Sequence, residues 1–186
     1  MFSLINIIKN YFKYKFEDFI VPSEYDNYNL IIDHLYLGNY LAAQDQDFII
    51  DKKIKLVINC SKNLEYPSFY KHMDHDFKYI RLQLNDSTNR IDQFTMQSSL
   101  PELCKLIDDN YTKGLNVFIH CFAGIQRSAT VILCYLMYLD SKNKILKSLD
   151  YYYYYLKYKR VVVFRPDPTF SNVIINFYNN LDHNLS

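Results

Sequence analysis

The spacing of hydrophobic and polar positions changes character near residue 30. Over residues 1–19, Met1, Ile5, Ile8, Phe12, Phe16 and Phe19 recur at helical intervals, while Asn6, Asn10, Lys13 and Glu17 gather on another face. That spacing predicts an amphipathic helix, and Val21-Pro22-Ser23-Glu24 ends it, because proline cannot continue the backbone ladder. From Ile31 onward, short apolar runs alternate with longer amphipathic ones. They predict strands near Asp33–Leu37, Leu56–Asn59, Tyr79–Leu84 and Val117–His120. They predict helices near Asp45–Lys52, Gln93–Asn110, Ser128–Leu139, Asn143–Tyr158 and Pro168–Leu181. Such alternation implies an α/β fold whose sheet is covered on both faces. The pattern divides the chain into an N-terminal helix and connector, residues 1–27, and one domain, residues 28–183. The tyrosine run Tyr151–Tyr155 falls inside a predicted helix and reads as a partly exposed face with several rings buried.

Composition narrows this picture by exclusion. At 186 residues, 49% hydrophobic and 22% charged, the chain suits one soluble domain with a sizeable core. A net charge of +1 offers no bulk attraction to nucleic acid or membrane, so any preference for anions must come from a local site. No apolar run approaches the length of a membrane span. The first residues lack a basic region and a small-residue cleavage site, so no secretory signal is expected. Cys60, Cys104, Cys121 and Cys134 are too scattered for a disulfide scaffold and form neither a Cys-x-x-Cys pair nor a zinc spacing. The expected setting is therefore a reducing compartment, the cytoplasm, without a metal or other cofactor. Few glycines and many Ile, Asn, Lys and Tyr residues also point to an AT-rich genome, such as that of a large DNA virus or of certain protists.

The chemistry concentrates in His120-Cys121-Phe122-Ala123-Gly124-Ile125-Gln126-Arg127-Ser128. A buried strand precedes this stretch and an apolar helix follows it, which places the loop at a strand-to-helix turn. There, free N–H groups and the positive helix end favour an anion. The loop amides of Phe122, Ala123, Gly124, Ile125, Gln126 and Arg127 can form a nest around a phosphate, and Gly124 permits the tight curl. Arg127 can add a bidentate, charge-assisted grip. A thiolate is the nucleophilic form of cysteine, and a helix N-terminus beside a cation favours it, which makes Cys121 the candidate nucleophile. Ser128 can donate to that thiolate, and His120 is the nearest candidate for orienting the loop.

Displacing an alcohol from phosphorus also needs a proton donor. Asp86, in Leu84-Asn85-Asp86, lies just past a strand, and residues past strand C-termini in α/β sheets face the ligand crevice. Asp92 is the second choice; it begins the next helix, where capping accounts for it. Asp74 and Asp76 precede the strand and belong at its other end.

With these residues the chain resembles the dual-specificity branch of the cysteine-dependent protein phosphatases, including its compact viral members. The resemblance is carried by His-Cys-x-x-Gly-x-x-Arg-Ser, by Ile32-Asp-His-Leu-Tyr-Leu-Gly-Asn39 and by Leu56-Val-Ile-Asn-Cys-Ser61. Leu84-Asn-Asp86, the helix from Arg127 to Met137, and Arg160 with Pro166 and Phe170 extend it. It implies a protein tyrosine phosphatase-like fold, with a mixed, mainly parallel sheet of about five strands flanked by helices. It implies Cys121 as nucleophile through a phosphocysteine, Asp86 as acid then base, Arg127 as clamp, and a shallow cleft for phosphotyrosine and phosphoserine or phosphothreonine. The absence of tryptophan fits the shallow type. A cysteine at the position of Cys60 pairs with the catalytic one in some relatives, so Cys60 is a candidate redox partner.

The sequence departs from the family pattern at three places. Gln126 stands where serine is common, and Asp167 follows Pro166 where asparagine is common. The separation of 35 residues between Asp86 and Cys121 reads as an insertion around Met96–Pro101. The implied partner is a phosphorylated protein, with no nucleic acid and no stable membrane insertion. A homodimer through the N-terminal helix is a further expectation. The alternatives are a phosphatase for a phosphoinositide or an RNA 5′-phosphate, and a phosphate-binding module with little turnover.

Overall fold

The computed structural model describes residues 26–183. The amphipathic helix predicted for residues 1–19, and the homodimer through it, lie outside the described residues.

Five strands form one sheet: β1 (Tyr28–Ile32), β2 (Leu35–Gly38), β3 (Ile54–Asn59), β4 (Lys78–Arg81) and β5 (Asn116–His120). Their order is β1-β2-β5-β3-β4. β1 and β2 pair antiparallel and every other pair is parallel, which is the mixed, mainly parallel sheet expected. The helices are α1 (Tyr40–Gln44), α2 (Gln46–Asp51), α3 (Arg90–Tyr111), α4 (Arg127–Lys142), α5 (Leu149–Lys159) and α6 (Ser171–His183).

The two-residue period of a strand divides the core. On β5, Val117, Ile119 and then Cys121 face the larger cluster, which contains buried residues of α3, α4, α5 and α6. Phe118 points the opposite way, into a second cluster with Ala42, Ala43, Phe48, Ile49 and Tyr70. β3 alternates likewise, with Leu56 and Ile58 on one side and Val57 on the other. β3 and β5 sit in the middle of the sheet, so Cys60 and Cys121 leave two neighbouring parallel strands at the same end.

Several predicted boundaries shift for identifiable reasons. The strand expected over Asp33–Leu37 is a hairpin in which Asp33 and His34 form the turn between β1 and β2. His34 adopts φ 64°, a conformation usually left to glycine or asparagine, and its Nδ1 lies 2.8 Å from Asn116 Oδ1 on β5. A distant partner thus supports a turn whose local signal, Asp33 before His34, is weak. The strand expected to reach Leu84 ends at Arg81, and the helix expected from Asn143 starts at Leu149 behind Ser148, whose hydroxyl accepts from Tyr151 N–H. Met96–Pro101, where the additional residues are expected, lies within α3, with Met96 and Leu100 in the core.

The tyrosine run ties α5 to its surroundings. Tyr152 is buried and its hydroxyl donates to Asp140 at 2.9 Å, while Tyr155 donates to the Ile31 carbonyl at 2.9 Å. Tyr153 stacks on Phe164 at 5.6 Å between centroids. Tyr151 is exposed beneath the Lys147 ammonium.

Candidate active site

The loop from Cys121 to Gln126 is held by its carbonyl groups. Phe122 O accepts from Tyr40 N–H at 3.0 Å and Ile125 O from Phe164 N–H at 3.0 Å. Gly124 O and Ala123 O accept from the Arg160 guanidinium at 2.9 and 3.3 Å. Gln126 O accepts from the backbone and hydroxyl of Thr130 at 2.8 and 2.9 Å. Each carbonyl from 122 to 126 is therefore engaged from outside, and a curled loop with outward carbonyls turns its N–H groups towards its centre. Gly124, at φ +68°, donates to Cys121 Sγ at 3.3 Å. A Cβ there would lie 2.5 Å from Gly38 O and 2.9 Å from Arg160 Nη2, so both conformation and space require glycine.

Cys121 Sγ also accepts from the Ser128 hydroxyl at 3.2 Å. Arg127 opens α4 and is nearly buried; its Nη1 donates to Leu84 O at 3.1 Å and its Nε lies 3.9 Å from Asp86 Oδ2. The structure thus brings Cys121, Ser128, Arg127 and Asp86 to one place, at the C-terminal ends of the parallel strands. Asp74 and Asp76 are elsewhere, paired with Lys55 at 3.1 and 2.9 Å.

Beside the loop lies a cleft of about 200 Å³, lined by Ser61, Lys62, Asn63, Leu64, Leu84, Asn85, Phe122 and Arg127. It contains cations and amides but no carboxylate. Ser61 Oγ and Arg127 Nε are buried there without hydrogen-bond partners and can serve the oxygens of a ligand.

The other named residues have different parts. His120 is buried and stacks on Phe118 at 5.3 Å, on the face away from Cys121. Its ring nitrogens meet no partner at full hydrogen-bond geometry, although the Cys121 backbone lies near enough to favour the protonated ring, and its carbonyl accepts from Cys60 N–H at 2.8 Å. Burial lowers its pKa from 6.5 to about 4, against a smaller opposing influence of the Cys121 backbone. Between those values the unfolded chain takes up a proton that the folded protein refuses, so stability falls as pH drops from 6.5 towards 4. The contribution is on the order of a few kcal/mol. Urea midpoints at pH 7.5 and 5 should differ less in His120→Asn than in wild type; an unchanged difference would remove the ring as its source.

Gln126 departs from the family pattern and is built into the structure. Its amide nitrogen donates to Arg165 O and Asp167 O at 3.2 and 2.9 Å, and its oxygen accepts from Thr169 N–H at 3.0 Å. It fastens the phosphate loop to the segment before α6. Gln126→Ala removes three bonds, which should cost about 2 to 4 kcal/mol in chemical denaturation. A loss below half a kcal/mol would mean that the clamp is not needed.

Arg160 is the residue that sequence reasoning undervalued. It is 4% exposed, and besides the loop it donates to Asp26 O and Asn29 Oδ1 at 2.8 and 2.6 Å. The available signal was a charged residue opening the apolar run Val161–Phe164.

Fold and loop together define a cysteine-based phosphatase architecture, and comparison with known proteins gives the family. The chain matches the dual specificity phosphatase catalytic domain over residues 35–180 and belongs to that family. It is 30% identical to human dual specificity protein phosphatase 7 over 148 residues, which is 79% of this chain and 32% of that protein. It is 32% identical to dual specificity protein phosphatase 1-B of Xenopus laevis over 147 residues, 79% of this chain and 36% of that protein. The chain thus spans about a third of these relatives. The crystal structure of human DUSP28 superposes with a TM-score of 0.70 at 20% identity, covering 84% of this chain and 96% of that one. OH1 of Orf virus, described as a tyrosine phosphatase, superposes at 0.62 with 18% identity, over 82% of this chain and 87% of that one. These two likenesses concern the fold.

Proposed function

We propose that this protein removes phosphate from phosphotyrosine and from phosphoserine or phosphothreonine in proteins, through a phosphocysteine intermediate. The observation that carries this reading is the convergence of Cys121, Arg127 and Asp86 on a loop whose carbonyls from 122 to 126 are tied outward. The loop amides and the Arg127 guanidinium bind the phosphate oxygens. The Cys121 thiolate attacks phosphorus, forming the S–P bond as the P–O bond to the leaving group breaks, and Asp86 gives that oxygen its proton. Asp86, now a carboxylate, takes a proton from water as the water oxygen attacks phosphocysteine. The S–P bond then breaks, releasing phosphate, and the Ser128 hydroxyl supports the departing thiolate. Charge stabilisation comes from groups fixed before the reaction.

Peptide substrates are favoured over phosphoinositides or RNA 5′-phosphates because the loop side chains Phe122, Ala123, Ile125 and Gln126 bring no cation to meet additional phosphates. The open cleft with exposed Phe122 suits a side chain presented on a protein surface. The reading also places the enzyme in a reducing, cytoplasmic compartment. Its test is the relative kcat/KM for phosphotyrosine and phosphothreonine peptides, phosphoinositides and 5′-triphosphorylated RNA. Preference for either of the last two would overturn the protein substrate.

Cys60 fits the role of a redox partner. Asn59 is in register with His120, so Cys60 and Cys121 are the next residues on adjacent strands, and Cys60 is fully buried. Burial, and secondarily the neighbouring Cys121, push the Cys60 thiol well above its usual range. It therefore waits as a thiol until Cys121 is oxidised by peroxide to a sulfenic acid; attack by Cys60 sulfur then forms the disulfide and releases water. Peroxide inactivation should be reversed by dithiothreitol in wild type and persist in Cys60→Ser. Equal recovery in both would remove Cys60 from this role.

A further inference from the structure

Asp92, the third residue of α3, is only 3% exposed, yet its carboxylate is surrounded by donors from the preceding loop. It accepts from Asn85 N–H at 3.0 Å, Ser87 Oγ at 2.6 Å and Asn89 Nδ2 at 2.7 Å, with Asn85 Nδ2 at 3.5 Å. Helix capping explains one part of this set. Asn89 Oδ1 accepts Asp92 N–H at 2.8 Å while the Asp92 carboxylate answers Asn89, a reciprocal exchange that closes the first turn. The bonds to Asn85 and Ser87 do nothing for the helix. Those two residues flank Asp86 on either side.

The neighbouring anchors point the same way. Gln93, beside Asp92, donates to Ser87 O and to Thr169 O, both at 3.1 Å. Leu84 O is held by Arg127 Nη1 and Leu84 N–H bonds back to Leu82 O. The backbone is thus fixed at 84, 85 and 87, and what projects between those points is the Asp86 side chain, 37% exposed and 3.9 Å from Arg127. We propose that Asp92 is a positioning residue, a buried anion that holds the 85–89 loop so that Asp86 meets the leaving-group oxygen. Two carboxylates six residues apart take separate tasks from separate surroundings. Burial by itself would raise the Asp92 carboxyl, but bonds from Ser87, the Asn85 backbone and Asn89 outweigh it and hold it below the ordinary carboxylate range. Asp92 therefore stays ionised, an acceptor with no proton to give, while Asp86 is the group placed to give one.

This inference rests on Asp86 as the general acid, and leaving-group dependence separates the two ideas. A poor leaving group such as phenolate needs a proton, whereas 2,4-dinitrophenolate departs without one. kcat/KM, which reports the steps up to phosphocysteine, is measured for phenyl phosphate and 2,4-dinitrophenyl phosphate with wild type, Asp86→Asn, Asp92→Asn and the double variant. Asp86→Asn should lose about 10²- to 10⁴-fold on phenyl phosphate and little on the dinitrophenyl ester. Asp92→Asn should show the same selectivity, losing up to about 10²-fold on phenyl phosphate, because the acid is misplaced rather than removed. The double variant should be no slower than Asp86→Asn alone.

Equal losses on both esters in Asp92→Asn would make the residue merely structural and overturn the inference. Selectivity in Asp86→Asn with none in Asp92→Asn would overturn it and leave Asp86 as the acid. Selectivity only in Asp92→Asn would make Asp92 the acid and sink both ideas. Should Asp92→Asn fail to fold, Ser87→Ala removes the 2.6 Å bond without creating an unpaired charge. It should then show a smaller loss confined to phenyl phosphate, and a loss equal on both esters would again overturn the inference.

Discussion

Cys121→Ser should abolish turnover of a small aryl phosphate while preserving the fold and the affinity for an oxyanion. A serine hydroxyl can accept the contacts that the sulfur now receives from Gly124 N–H at 3.3 Å and Ser128 Oγ at 3.2 Å, so the loop keeps its shape. Its conformation is set mainly by the carbonyl anchors of Tyr40, Arg160, Phe164 and Thr130, none of which involves the thiol. What disappears is the sulfur, the atom placed to attack phosphorus. An alcohol beside this guanidinium remains protonated, and His120, the nearest base in sequence, is turned to the other face of the sheet. Hydrolysis of p-nitrophenyl phosphate should fall to background, with tungstate binding by calorimetry within a few-fold of wild type. Turnover above a hundredth of wild type would mean that another group attacks phosphorus. Loss of tungstate binding together with turnover would mean that the thiol is needed to shape the loop.

Arg127 should prove nearly as sensitive, and lysine should not rescue it. The guanidinium is held by Leu84 O through Nη1, and its Nε lies within ion-pair range of Asp86. One group therefore orders the acid loop while facing the phosphate. Lysine keeps the charge but has neither the planar fork nor the reach to hold both. In the trigonal bipyramidal transition state the equatorial oxygens spread to meet a forked donor, so the interaction strengthens along the reaction. Arg127→Lys should therefore lower kcat by about 10²- to 10³-fold, the usual cost of losing a transition-state donor. KM should change much less. Arg127→Ala should be worse still, since it removes the charge as well as the bond to Leu84 O. A lysine variant within tenfold of wild type in kcat would show that charge alone suffices.

The phosphate loop was legible in the sequence because its chemistry is local. Cys121, Gly124, Arg127 and Ser128 lie within eight consecutive residues, and strand and helix periodicity on either side placed them at a turn. Asp86 followed from one further rule about the ends of parallel strands. β3, β5 and α4 could be read for the same reason, since their apolar side chains repeat at intervals visible in a short window. The β1–β2 hairpin could not, because His34 depends on Asn116, 82 positions away, for the partner that accompanies its positive φ. α1 escaped as well: it has only five residues, too few to establish a period, and its N-cap Asn39 looked like part of a turn.

The supports of the site divide along the same line. Sequence by itself determined which groups are candidates for the chemistry: a thiol, a guanidinium and a carboxylate, with a glycine where the chain must curl. Only the tertiary structure decided what holds them still. Arg160 reaches back 36 residues to Gly124 and 134 to Asp26, and Gln126 grips a segment about 40 residues ahead of it. Asp92 looked like an ordinary helix cap until the loop folded over it. Reacting groups are marked by residue type, which a sequence displays directly. Their anchors are hydrogen bonds between distant backbone and side-chain atoms, and those partners exist only once the chain has packed.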